Sequence, residues 1–401
     1  MVKAAILLSC LASSFLLAQT PSFRMETLHG RQAYVIENGK MRVSALRGGG
    51  HIAELQLLTS DARLGINPLY IPPYQTIEPY NYDQARDGSF YGTGPKQWLD
   101  AGYMGQLLCF PSFGPPSSSE EARNGQGYHG EAVTVEWKQT KTPQIDSGGV
   151  TFYYGAELPK TQYRIERILH LAAGETALHV EEWFENLAAF DRPFNRDEHV
   201  TFGPPFLAVN KTMLDMPGTR GMTKRGPAAG DIDWPKATLP DGSSMDLRAF
   251  RSPVRTSVFR AILVDASRST AYFTMYNSEY PLLVGYIFSA EENPWICDWQ
   301  ENQSAQATPR FGKVIARGIE FGTSPFDEGL RKSVERGTLF GAPAYGWING
   351  RQRIKISYTV FLAEIPAGFG GVSDVQRMPG EIVVRERNSM RRIIVPSGAR
   401  P

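Results

Sequence analysis

From Tyr163 to Leu207 the chain reads YRIERILHLAAGETALHVEEWFENLAAFDRPFNRDEHVTFGPPFL, two strand-like segments about an Ala173-Gly174-Glu175 turn signal. Polar and apolar residues alternate through His179, Val180 and Glu181, so successive side chains face opposite ways and one face can be buried. That pattern predicts a half-buried hairpin. A connection through Asn186 and Pro193 then brings His199 to the start of a further strand.

The same short period runs through most of the chain. AYVIENGKMRVSAL predicts a hairpin turning at Asn38-Gly39, and Gly48-Gly49-Gly50 punctuates before HIAELQLL. Beyond His199, ASRSTAYFTMYNS, PLLVGYIFS, NPWICDWQEN, GKVIARGIEFG and IKISYTVFLAEI read as strands set off by turn signals. Helical periodicity is scarce, and residues 326–336 predict one or two turns at most. No long-period repeat is present, which disfavours solenoids and propellers. The sum is a mostly β protein, a single large antiparallel sandwich.

Two stretches break the pattern. NPLYIPPYQTIEPYNYDQARDGSFYGTGPKQW, from Asn67 to Trp98, is too rich in Pro, Tyr and Gly to predict regular structure. It is long for a loop in a compact domain, and its aromatics argue against disorder. It reads equally as a functional binding surface or as a cover over one end of the sandwich. The second stretch, Pro115 to Glu121, reads as a surface loop.

Composition narrows the class. The 39 glycines and 28 prolines among 401 residues are many for a helical protein, while 17 tyrosines and 21 phenylalanines suit strands. With 42 basic against 41 acidic side chains, the net charge of +1 supplies no field to hold a polyanion, so nucleic acid is not an expected partner. Lys3 followed by AAILLSCLASSFLLA has the charged start and short apolar core of an export signal, too short for a permanent membrane span. The expected organisation is a signal over 1–18, a sandwich over 24–385 and a basic tail over 386–401, with a periplasmic or secreted location. Beyond the signal, Cys109 and Cys297 both lie in apolar runs and read as buried, inert thiols.

Three short motifs carry candidate chemistry. They are His129 in Tyr128-His129-Gly130-Glu131, His199 in Asp197-Glu198-His199-Val200-Thr201-Phe202-Gly203, and Glu320 in Gly318-Ile319-Glu320-Phe321-Gly322-Thr323-Ser324-Pro325. A histidine and a carboxylate together make a general acid and a general base near neutral pH. In order and approximate spacing the three motifs, over most of the mature chain, resemble the galactose mutarotase (aldose 1-epimerase) family. The resemblance implies a galactose mutarotase-like supersandwich that epimerises an aldose or related sugar at its anomeric carbon. It implies His199 as the acid, Glu320 as the base and His129 as a binder of the ring side, without metal or organic cofactor. The tyrosines between Tyr70 and Tyr91 would then be candidates for stacking on a sugar ring.

The chain departs from that family where an arginine for sugar hydroxyls is expected. The stretch reads Gly105-Gln106-Leu107-Leu108-Cys109, leaving Gln106 as an uncharged stand-in. Asp298 is the stand-in for the family's aspartate, and Arg317 is a further candidate beside Glu320. No HxH, HxxxH or HExxH pair supports a metal site, and no GxSxG elbow supports a nucleophilic serine. The alternatives to an isomerase are a sugar-binding protein without turnover and a lyase-type polysaccharide module.

Overall fold

A computed structural model describes residues 20–225, 231–239, 241–251 and 253–398, so the predicted export signal lies outside the described residues. Among them the strands build a 13-stranded sheet and an 8-stranded sheet, with three smaller ribbons. The long ladders are antiparallel throughout, in agreement with the alternation of the sequence.

The hairpins read from the sequence form as expected. Tyr163–Ala172 pairs with Ala177–Asn186, and Arg31–Glu37 pairs with Met41–Leu46 across the Asn38-Gly39 turn. Gly39 has φ +88°, which glycine adopts without a Cβ penalty.

The centre of the large sheet runs, in spatial order, Ile52–Leu57, Gln106–Cys109, Asp197–Phe202, Ile315–Gly322, Trp295–Asn302, Thr256–Val264 and Gly218–Arg225. Its registers fix which side chains share a face. His199 pairs with Leu107 and Glu320, and Glu320 pairs with Cys297. Val200 pairs with Gln106 and Ile319, and Ile319 pairs with Asp298.

One face, with Leu108, Val200, Phe202, Ile319 and Phe321, meets Phe152, Ile165, Leu169, Val180 and Phe184 of the smaller sheet in the main core. The opposite face carries Leu107, Cys109, Ala261 and Cys297, which pack with Tyr70, Leu99 and Tyr103. Cys109 and Cys297 are buried free thiols there, their pKa values pushed well up by burial.

Between the sheets lies a fully buried ionic cluster. Arg167 Nε is 2.6 Å from Glu182 and its Nη2 3.2 Å from Glu198, while Arg196 Nη2 is 2.8 Å from Glu182. Two guanidinium groups balance two carboxylates, and Arg167 also donates to Gly50 O at 2.7 Å. Charges this deep persist when they are paired, and the geometry of these pairs fixes how the smaller sheet docks behind Asp197–Phe202.

The irregular stretch differs from expectation. It contains the helix Gln84–Tyr91, capped by the Asp83 side chain accepting from Arg86 N–H, and the helix Gln97–Gly102 begins at its end. The capping signal was present but hidden among Pro, Tyr and Gly. Tyr70 and Tyr74 are packed, and burial raises the pKa of both. The turns expected near 326–336 form as the helix Leu330–Arg336.

Residues expected in a basic tail contribute Arg392–Pro396 to a three-stranded sheet with Val372–Met378 and Glu381–Glu386. Val375, Ile382, Val384 and Val395 from these strands pack with Tyr272, Ile287 and Phe361 of the 8-stranded sheet. Among the described residues no helix is long and apolar enough to cross a membrane.

Candidate active site

A cavity of about 250 Å³ opens on the face of the large sheet away from the main core. Its lining includes His129, His199 and Glu320, contributed by a loop and two adjacent strands. His199 and Glu320 are directly opposite each other in register, and His199 Nε2 lies 2.9 Å from Glu320 Oε1. The imidazoles of His129 and His199 have centroids 5.6 Å apart.

The orientation of His199 is set from behind. Its Nδ1 is 2.9 Å from Thr201 Oγ1, which is 2.7 Å from the Tyr103 hydroxyl. Burial pushes the Tyr103 pKa well up, so this phenol keeps its proton and can donate to Thr201. With Thr201 donating onward to Nδ1, the neutral imidazole carries its proton on Nε2, facing Glu320. When His199 is charged, the threonine oxygen accepts from both sides instead. In either state Nε2–H points at Glu320 Oε1.

Glu320 is nearly fully buried, and burial raises its pKa against the opposing influence of His199. Its Oε2 is a buried atom with no hydrogen-bond partner among the described residues. An unsatisfied buried carboxylate oxygen is costly unless something else meets it, and the Glu320 side chain lines the cavity.

His129 has a different role. Its ring stacks on Phe113 at 5.3 Å, its N–H donates to Gly114 O at 2.7 Å, and its Nδ1 accepts from Gly114 N–H at 3.2 Å. Burial holds its pKa well below the usual histidine value, so the ring is neutral with its proton on Nε2. The backbone of His129 is left-handed at φ +70°, which the two contacts with Gly114 hold in place. Gly130 follows at φ +84°, and a Cβ there would lie 2.3 Å from Phe110 O. Glycine at position 130 is therefore required by the path of the chain.

Gly318 explains the third motif. A Cβ at this position would lie 2.6 Å from His199 Cε1 and 3.2 Å from Glu320 Oε1. Only glycine leaves room for the imidazole to meet the carboxylate.

Three expected residues do not reach the cavity. Gln106 lies on the opposite face and donates to Glu198 at 2.5 Å and to the Tyr358 hydroxyl at 2.7 Å. Asp298 accepts from Arg317 Nε at 2.8 Å, Arg260 at 3.1 Å and Gln300 at 2.8 Å. Arg317 also holds Leu247 O and Arg248 O. The physical reason is strand parity, since Gln106, Asp298 and Arg317 share the face of Val200 and Ile319, whereas His199 and Glu320 share the other. Of the carboxylates flanking His199, Glu198 faces the buried arginines and Asp197 accepts from Ser324 N–H at 3.3 Å.

Other lining residues escaped the sequence reading. Trp299 stands edge-on to His199 at 5.6 Å, and Tyr103 does so at 5.9 Å. Trp299 sits two residues from Cys297, and Cys297 is opposite Glu320, so the registers put all three on one face. Lys96, Arg225, Glu301, Arg310 and Asp327 add charge around the opening.

No protein-family model matches the chain, and no curated protein matches it by sequence. Solved structures do. A Klebsiella pneumoniae protein provisionally described as an aldose 1-epimerase is 12% identical, with 86% of this chain and 83% of that one covered at a TM-score of 0.61. A galactose mutarotase-like protein from Clostridium acetobutylicum is 12% identical over 86% of this chain and 99% of its own, at a TM-score of 0.57. An Escherichia coli K12 protein, also provisionally an aldose 1-epimerase, is 14% identical over 83% and 99%, at 0.52. Likeness at such low identity speaks for architecture and leaves chemistry to the residues. In architecture, the chain has the galactose mutarotase-like fold.

Proposed function

We propose that this protein is a carbohydrate-active isomerase that interconverts the anomers of an aldose or related sugar, acting outside the cytoplasm as its leader suggests. The observation that carries this proposal is the His199–Glu320 pair, an acid and a base 2.9 Å apart beside an open cavity. The anomeric hydroxyl and the ring oxygen of a pyranose are bonded to the same carbon. Groups serving both atoms must therefore stand close together.

The Glu320 carboxylate, whose Oε2 has no hydrogen-bond partner among the described residues, takes the proton of the anomeric hydroxyl. The bond from the anomeric carbon to the ring oxygen breaks, and the ring oxygen takes the proton of His199 Nε2, which turns from Glu320 Oε1 to reach it. The open-chain aldehyde rotates and recloses, returning one proton to His199 and taking one from Glu320. His129 Nε2–H donates to the sugar from the side, and the Trp299 ring offers an apolar face to the sugar's C–H groups.

The direct test is polarimetry of fresh α-anomers with the wild-type protein. Acceleration over the buffer rate supports the isomerase. Binding without acceleration makes it a sugar-binding protein, and release of unsaturated uronates from a polysaccharide, followed by ultraviolet absorbance, makes it a lyase.

Gly318→Ala gives a second expected result. The added methyl displaces the His199 ring, and turnover falls about tenfold to a hundredfold, since small misplacements of a catalytic group are costly. Circular dichroism should remain that of the wild type. An unchanged rate would show that the spacing of His199 and Glu320 is not critical.

A further inference from the structure

We propose, on the footing of the isomerase function above, that the sugar this cavity takes carries an acid group, a carboxylate or a phosphate ester, held by Lys96 and Arg225. Six charged side chains besides His199 line the cavity, three basic and three acidic. Most are already committed.

Arg310 Nη2 lies 2.6 Å from Asp100. Asp327 is met by Lys224 Nζ at 2.9 Å and by the Tyr128 hydroxyl at 2.8 Å. Glu301 accepts from the backbone and hydroxyl of Ser304 at 2.5 and 2.6 Å. Glu320 faces His199. Lys96 and Arg225 are left without a carboxylate at ion-pair distance among the described residues. The remaining residues of the chain carry no side-chain carboxylate that could supply one.

The two cations flank the reacting groups. Lys96 Nζ stands 4.5 Å from the centroid of the Tyr128 ring, and that ring meets His129 edge-on at 4.5 Å. Lys96 is thus one ring removed from His129. Arg225 lies over Phe259, with its guanidinium carbon 5.8 Å from the ring, and its charge acts on Glu320. The protein atoms around Lys96, then the positive Arg310, hold its ammonium below the ordinary lysine pKa. A neutral sugar leaves these two cations without an ionic partner, and an anionic sugar supplies one.

The test compares sugars that differ only at the far end of the molecule. Galactose, galacturonate, glucose, glucuronate and glucose 6-phosphate are each titrated calorimetrically into the wild-type protein and followed by polarimetry or exchange spectroscopy. At least one acidic sugar should bind on the order of tenfold or more tightly than its neutral parent, and the advantage should shrink as salt is raised. Whether the uronates or the phosphate ester gain identifies the acid group.

Lys96→Gln should weaken the acidic sugar about fivefold, through KM rather than kcat, and Arg225→Gln should weaken it about as much while moving the acidic limb set by Glu320 upward. Lys96→Arg should restore the preference. Equal affinity for acidic and neutral sugars overturns the acid-group proposal, and turnover of galactose in that case leaves the isomerase standing. Selective binding of an acidic sugar with no turnover of any sugar keeps the acid-group proposal and overturns the isomerase.

Discussion

Replacing Glu320 by glutamine is expected to remove most of the turnover, on the order of 10²-fold or more, while sugar binding survives. The amide keeps the shape of the carboxylate, and its oxygen can still accept from His199 Nε2. What it loses is the proton acceptor at the position of Oε2, the buried oxygen without a hydrogen-bond partner among the described residues. Polarimetry measures the loss in kcat, and calorimetry on the same variant measures the affinity. A variant that turns over sugar at a near-normal rate removes Glu320 as the base. A variant that neither binds nor turns over sugar makes Glu320 a binding residue instead.

The second large effect concerns His199 and pH. Activity requires Glu320 ionised and His199 protonated, which gives a bell-shaped profile. The acidic limb belongs to Glu320. Burial disfavours its charged form, so the limb should lie above the ordinary glutamate value of about 4.3. The alkaline limb reports loss of the proton donor.

His199→Asn keeps some hydrogen bonding and cannot relay a proton, so the alkaline limb should vanish along with most of the rate. It also removes the positive partner that lowers the Glu320 pKa, so the acidic limb of any residual activity should shift further upward. Polarimetry of the wild type and the variant across the pH range reads both effects. An unchanged profile in the variant excludes His199 from the mechanism.

The near coincidence of acid and base is held by features a reader of the sequence meets separately. Gly318-Ile319-Glu320 supplies both the base and the gap its partner needs, and His129-Gly130 supplies a left-handed turn that seats a neutral imidazole. Each glycine reads as an ordinary turn or strand residue until the close approach is seen. Likewise Arg167 and Glu182 sit at positions in phase with the apolar residues Ile165, Leu169, Val180 and Phe184. The alternation thus marks them as inward-facing, although their four-membered cluster with Arg196 and Glu198 needs both sheets to form.

Alternation along the chain determined the antiparallel strands, the hairpins at Asn38-Gly39 and Ala173-Glu175, and the sandwich, because a period of two is a local property of extended backbone. Three short motifs and their resemblance to the mutarotase family singled out His129, His199 and Glu320 as candidates. Which of the further candidates reach them was decided by registers between strands distant in sequence. Those registers turned Gln106, Asp298 and Arg317 to the opposite face and brought Trp299 and Arg225 to the cavity, where the helix Gln97–Gly102 presents Lys96 and Tyr103 from its two ends. The order of strands, and so which faces meet, comes from packing across the whole sheet, and a shift of one residue in a strand's register would turn that strand's side chains to the opposite face.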